Sequence, residues 1–154
     1  MSSDDTVMAL DVGDVRIGVA IASMIAKLPQ PLVTISNNHA VFQKLQELIT
    51  EHNIGHIVIG LPRNLNSQET TQTKRARDFA KRLRQEIALP ISLQDEAVTS
   101  VVAEEMLRTS KKRYTKEDID MHAAAYILQD YLEEVGGREW VRKRTQLFQN
   151  LAGG

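Results

Sequence analysis

The acids in this chain that could do chemistry are those set at the ends of apolar runs. Asp11 closes the run Val7 to Leu10, and Asp95 and Glu96 follow Ile91-Ser92-Leu93-Gln94. Asp120 interrupts a helical pattern of Ile and Ala, with Ala123 and Ala124 one turn further on. An ionised carboxylate at such a place is costly unless it is paired, hydrogen-bonded or metal-bound. Each acid also has a plainer reading. Asp11 with Gly13 makes an ordinary turn, and Asp95-Glu96 makes a polar turn ahead of a helix capped by Thr99 or Ser100. Asp120 is then an exposed acid favoured by the helix dipole, as Glu117 and Asp118 are. Brought together from two strands and a helix, the three acids would form an oxygen-only site. Such a site suits Mg²⁺ or Mn²⁺, which bind substrate phosphate oxygens while keeping waters. Two ions so held generate hydroxide and stabilise the leaving oxygen in phosphodiester hydrolysis. The chain has no cysteine, which excludes disulfides, thiolate zinc sites and thiol nucleophiles. His39, His52, His56 and His122 show no H-x-x-x-H spacing and read as surface or packing residues, His122 being the one near an acid.

Several elements must position these acids. Val7 to Leu10 and Arg16 to Ala22 (RIGVAIA) are two strands joined by a polar Gly13-Asp14 turn. Val33-Thr34-Ile35 adds a third strand after Pro29 and Pro31, which predicts an antiparallel meander. The period then becomes helical at Val41, Leu45, Leu48 and Ile49, with Asn38 as N-cap. Ile57-Val58-Ile59-Gly60 is a buried-strand signal, followed by a loop over 61–67. Ala76, Phe79, Ala80, Leu83 and Ile87 form the stripe of an amphipathic helix ending before Pro90, and Ile91 to Gln94 form the last strand. A helix from near Ser100 follows. Thr115-Lys-Glu-Asp118 starts another in the manner of a capping box, which is expected to stop before Gly136-Gly137. Trp140, Val141, Leu147, Phe148 and Leu151 suggest a final shorter helix. The expected fold is α/β: a mixed five-stranded sheet, meander plus parallel strands, with helices on both faces. Ligands of such sheets gather beyond the carboxyl ends of the strands, where Asp11, the Gly60 loop and Asp95-Glu96 fall.

At 154 residues the chain fits one domain able to bury about two-thirds of its unfolded surface. With 42% apolar and 25% charged residues and only 8 Gly and 4 Pro, neither a disordered nor a fibrous chain is expected. The net charge of −1 excludes a wholly basic nucleic-acid coat, but not a local basic face. The acidic opening MSSDDTVMALDVGD is unlike a signal peptide and no apolar run approaches membrane-spanning length, so a cytoplasmic location without membrane contact is expected.

Four segments resemble one family as a set: DVGDVRIGVAIAS, IVIGLPRNLNS, DEAVTSVVAEEML and IDMHAAAYILQDYL. In this order and spacing they are similar to the YqgF-type family, described as Holliday-junction resolvases and, in bacteria, pre-16S rRNA nucleases. The resemblance covers roughly residues 6–134, leaving 135–154 as a tail or helix outside the motifs. It implies a ribonuclease H-like fold and a metal-dependent nuclease acting on structured RNA or branched DNA. It also implies that Asp11, Glu96 and Asp120 are the catalytic acids and metal ligands. Asp95 would share ligation or orient its neighbour, and Arg16 would contact phosphate or partner the acids. Three positions depart from the pattern. Ala97 stands where the family's Asp-Glu-Arg motif has Arg, Met24 follows Ser23 where an Asp is usual, and Asn66-Ser67 replaces an Asp-Gly pair.

Basic residues lie late in the chain: the first 73 residues hold 4 basic and 7 acidic residues, the remainder 15 and 13. Lys74, Arg75, Arg77, Lys81, Arg82 and Arg84 lie on one helix, Lys111, Lys112, Arg113 and Lys116 in a loop, and Arg138, Arg142, Lys143 and Arg144 near the end. Each cluster is either a solvated face or a track for a nucleic-acid backbone. Beside a three-acid phosphodiester site, Lys74, Arg77, Lys81, Lys111, Lys112 and Arg113, with Arg63 and Asn64 from the loop, are the candidate substrate contacts. The loss at Ala97 motivates a second hypothesis, a weakly active or inactive nucleic-acid- or ribosome-associated binding protein. A sugar-kinase-like or actin-like ATPase needs two such domains, and this length supplies one. Trp140, Leu147, Phe148 and Leu151 would pack on the domain or form a homodimer contact.

Overall fold

The computed structural model describes residues 6–64, 66, 68–97, 99–110 and 113–152; side chains are described outside 97, 99–103 and 137–152. Five strands form one sheet: β1 (Thr6–Val12), β2 (Arg16–Ser23), β3 (Gln30–Ser36), β4 (His56–Arg63) and β5 (Ile91–Ala97). Their order is β3-β2-β1-β4-β5. The first three pair antiparallel, while β4 lies parallel to β1 and β5 parallel to β4. Each parallel pair needs a crossover, and α1 (Val41–His52) and α2 (Thr71–Glu86) supply them. Then come α3 (Thr99–Thr109) and α4 (Lys116–Ala152).

Alternation along each strand separates two apolar cores. Met8, Leu10, Ile57 and Ile59 face α1 and α2, meeting Leu45, Phe79 and Leu83. Val7, Ala9, Ala20 and Val58 face α4, meeting Ala124, Ile127 and Leu128. By the same period of two, Asp11 follows Val7 and Ala9 onto the α4 face. Gln94 and Glu96, both buried, stand opposite in sense to the Leu93 that faces the other core.

Helix α4 touches all five strands. Its start is fixed by the reciprocal capping box expected from sequence: Asp118 N–H donates to Thr115 Oγ1 (3.2 Å) and Thr115 N–H to Asp118 Oδ2 (2.8 Å). Thr34 Oγ1 also donates to the Glu117 carbonyl. Two glycines set how closely it lies on the sheet. A Cβ at Gly18 would collide with the Asp120 carbonyl, and one at Gly60 with Ile127 Cδ1.

Several boundaries differ from the sequence expectation. Helix α4 runs unbroken through Gly136 and Gly137 to Ala152, because each glycine costs only about 1 kcal/mol against Ala and strong helix formers flank the pair. Strand β4 continues through Leu61-Pro62-Arg63 instead of ending at Gly60. Its pairing to β1 ends at Leu10–Ile59, so the missing N–H of Pro62 breaks no ladder bond on that side. Strand β5 likewise carries Asp95 and Glu96 within it, paired to Leu61 and Pro62. Asn38 is not the cap of α1: Ala40 takes that place, and Asn38 Oδ1 accepts from Ala40 N–H in the preceding turn.

Candidate active site

Asp11 and Asp120 are brought together by backbone. Asp11 pairs with Gly18 across the antiparallel ladder. Gly18 is where the α4 main chain rests on β2, at Asp120 itself. Small side chains at Ala123 and Ala124, fully buried, continue the close packing. Burial first, and then the negative charge of Asp120, push the Asp11 carboxyl up to about 7. Arg16, one strand over, donates from Nε to Asp120 Oδ2 at 2.7 Å and holds that carboxylate in place. Gly13 closes the hairpin between them, its N–H donating to the Arg16 carbonyl at 2.9 Å.

These residues line an open cleft of about 690 Å³ whose opposite wall is the end of β4 and the start of α2. Arg63 stands there, its Nε donating to Asp95 Oδ1 at 3.0 Å across the sheet edge. Asn64 has a loop-building role: its Oδ1 accepts from the backbone N–H of Asn66 and Gln68, and its Nδ2 donates to Gln68 Oε1. Thr70 caps α2 and shares a two-way capping box with Thr73. Arg75 reaches the cleft from the second turn of α2 and lies 3.8 Å from Asp14 of the β1–β2 turn.

Glu96 stands elsewhere. It pairs with Pro62, two residues beyond the level of Asp11 and with β4 between, which separates the Cα atoms by roughly 12 Å. Its carboxyl faces the middle of α4. Burial first, then a hydrogen bond to Asp130 and the charges of Asp130, Glu134 and Asp95, push it up to about 9. Its Oε1 is buried without a hydrogen-bond partner. Among the described residues no three carboxylate or imidazole groups converge on a point that could hold a metal ion. The structure therefore brings together Asp11, Asp120 and Arg16, puts Asp95 and Arg63 at the rim, and leaves Glu96 apart.

The basic candidates divide as well. Arg77 is paired with Glu69 at 2.5 Å, and neither it nor the exposed Lys81 lines the cleft. Arg113 is exposed, and Lys111 and Lys112 lie outside the described residues. Arg75, named in the basic cluster of this helix but not singled out as a substrate contact, is the one of that cluster that lines the cleft. The stripe Ala76, Phe79, Ala80 and Leu83 separates a 71/75/78/82 flank from a 77/81/84 flank, yet only tertiary packing says which flank borders the cleft. His122 is structural, its Nδ1–H donating to the Asp118 carbonyl at 2.8 Å. Trp140, Leu147, Phe148 and Leu151 fall where α4 is described by its backbone alone.

Known proteins resemble this chain in sequence and in fold. A curated relative from Thermoanaerobacter pseudethanolicus, named "Putative pre-16S rRNA nuclease", is 38% identical over 132 residues, covering 82% of this chain and 95% of the relative. One of the same name from Orientia tsutsugamushi is 40% identical over 124 residues, covering 79% of each. Among solved structures, Thermus thermophilus RuvC in complex with a Holliday junction substrate superposes with a TM-score of 0.55 at 11% identity, over 86% of this chain and 96% of that one. The Fowlpox virus resolvase bound to Holliday junction DNA gives 0.51 at 10% identity, over 84% and 98%. These two likenesses establish the ribonuclease H-like fold. The family profile described as "RuvX: Holliday junction resolvase" matches residues 5–134, and the chain belongs to that family.

Proposed function

We propose that this protein is a metal-dependent nuclease that hydrolyses phosphodiester bonds in structured nucleic acid, a precursor of 16S rRNA or a branched DNA. The observation that carries the reading is the Asp11–Asp120 pair at the floor of an open cleft. Two carboxylates are forced together by backbone, with the Asp11 carboxyl pushed up to about 7, and a bound cation would favour their charged forms. The donor set is all oxygen, and Mg²⁺ or Mn²⁺ needs only one or two carboxylates beside water and substrate phosphate. When bound, such an ion activates water and stabilises the leaving oxygen. Asp11 and Asp120 would hold it. Arg16 fixes the Asp120 carboxylate through Nε, and Arg63 and Arg75 present positive charge to the phosphates on the opposite wall. Asp95 stands at the rim, paired with Arg63, and Glu96 lies apart from the Asp11–Asp120 pair.

The test is cleavage of a four-way DNA junction and of an rRNA precursor with Mg²⁺ or Mn²⁺, wild type against Asp11→Asn. Cutting of at least one by wild type alone is expected. If neither is cut, or Asp11→Asn cuts equally well, the reading is wrong. The remoteness of Glu96, together with Ala97 in place of the family Arg, favours one second reading, a nucleic-acid-binding protein without catalysis. Salt-sensitive RNA binding that survives Asp11→Asn, with no cleavage by wild type, would establish it.

A further inference from the structure

A second, smaller groove of about 300 Å³ adjoins the cleft on the outer flank of α2. The two share Thr71 and Arg75 as a common wall. Its cationic side chains are Lys74, Arg75 and Arg82, against the single acid Asp78. Among the described residues Lys74 and Arg82 have no carboxylate within 4.0 Å, so their charge is not spent internally. Arg82 is held in place: its guanidinium carbon lies 5.0 Å from the centroid of the Phe42 ring, which is itself stacked on Phe79 at 5.4 Å. A cation over an aromatic face keeps its N–H groups free for an anion. The groove is also joined to the cleft hairpin, since Asn37 donates from Nδ2 to the Gly13 carbonyl and from its backbone N–H to the Val15 carbonyl, both at 2.8 Å.

We infer that this groove is a phosphate subsite that receives the nucleic-acid backbone as it leaves the carboxylate cleft, with Arg75 at the junction and Lys74 and Arg82 beyond it. The inference rests on the nuclease reading for its ligand and adds the direction in which the substrate runs. From Lys74 to Arg82 the helix rises about 12 Å, which matches roughly three to four base-pair rises along the axis of a duplex. Asp78 lies between them and opposes the bound backbone. The opposite flank, with Arg77 committed to Glu69, takes no part.

The experiment measures binding of a DNA duplex and an RNA duplex of the same sequence, each of about 20 base pairs, without divalent cation and across a salt series. The double variant Lys74→Ala/Arg82→Ala is expected to weaken binding about tenfold and to lower the slope of log K against log salt by about two. The single variant Lys74→Glu changes only an exposed residue, so it keeps the test clear of folding effects at Arg82. It should weaken binding at least as much as Lys74→Ala. Asp78→Asn should tighten binding about threefold, and Arg77→Ala/Lys81→Ala should change it less than twofold. Equal losses from both flanks, or an unchanged salt slope in the Lys74 and Arg82 variants, overturn the subsite. The outcome is separable from the nuclease reading: junction or precursor cleavage by wild type with no flank effect sinks only the subsite, and a flank effect without cleavage sinks only the nuclease. A loss for one duplex type and not the other identifies which nucleic acid follows this path.

Discussion

Two acid clusters lie on the same face of the sheet, and one helix serves both. Near its start, α4 sets Asp120 beside Asp11; in its middle, it sets Asp130 and Glu134 against Glu96. Burial is the leading cause in each case, and a neighbouring carboxylate adds to it. The settings diverge in what accompanies the acids. Asp11 and Asp120 have Arg16 at hand and open on a wide cleft, so charge can be placed there and exchanged with solvent. Glu96, pushed up to about 9, has no cation beside it among the described residues and buries one oxygen without a partner. A raised carboxyl marks a place where charge is unwelcome; access and a counter-charge decide whether that place can work on a substrate.

The comparison breaks most sharply at Asp11. Asp11→Asn is expected to lower cleavage on the order of a thousandfold, read in single-turnover assays, while Glu96→Gln should fall well short of that if Glu96 stays where it is seen. Equal losses would show that Glu96 moves to the cleft during the reaction. Next comes Gly18→Ala, whose methyl meets the Asp120 carbonyl. It should cost about 3 kcal/mol in urea unfolding and reduce activity through the displaced Asp120.

The two clusters also differ in their pH windows without divalent cation. Both carboxyls are raised in the folded state, so each contributes stability that is fully present below its unfolded value, near 4, and is lost as pH rises. For Asp11 the loss runs through about 7, and for Glu96 through about 9. Glu96→Gln should therefore raise stability at pH 8 by about 2 kcal/mol and flatten the alkaline limb. Asp11→Asn should flatten the limb around neutrality. Millimolar Mg²⁺ should move the Asp11 limb downward in pH and leave the Glu96 limb in place, as pH-dependent melting would show. The smallest effect is expected at the rim. Arg63→Ala breaks an ion pair whose Asp95 partner is 66% exposed, and should cost no more than about 0.5 kcal/mol.

Much of this was legible in the residues. The period of two fixes the side of the sheet on which Asp11 stands, and Thr115 with Asp118 announces the start of α4, because both are local. The meeting of Asp11 with Asp120 is foreshadowed by Ala123 and Ala124, yet the glycines that allow it, Gly18 and Gly60, carry no local sign of that role. A glycine's missing Cβ has meaning only against what packs there. The position of Glu96 depends on register between β4 and β5 and on how α4 crosses them, neither of which any local pattern encodes. The same holds for Arg75, whose flank of α2 borders the cleft for tertiary reasons alone. Gly136-Gly137 misled in the other direction, since a pair of weak helix formers lowers propensity without supplying a stop.

The contact between Gly18 and the Asp120 carbonyl gives the candidate site an unusual kind of ruler. Side chains adjust by changing rotamer, so a distance set by side chains drifts when neighbours are replaced. Main chain resting on main chain has no such freedom. Around this point the flanking apolar residues can be exchanged, one volume for another, without altering how far apart the two carboxylates are anchored. The addition of a single carbon at Gly18 or at Gly60, or a slip of α4 along its axis, would change the gauge.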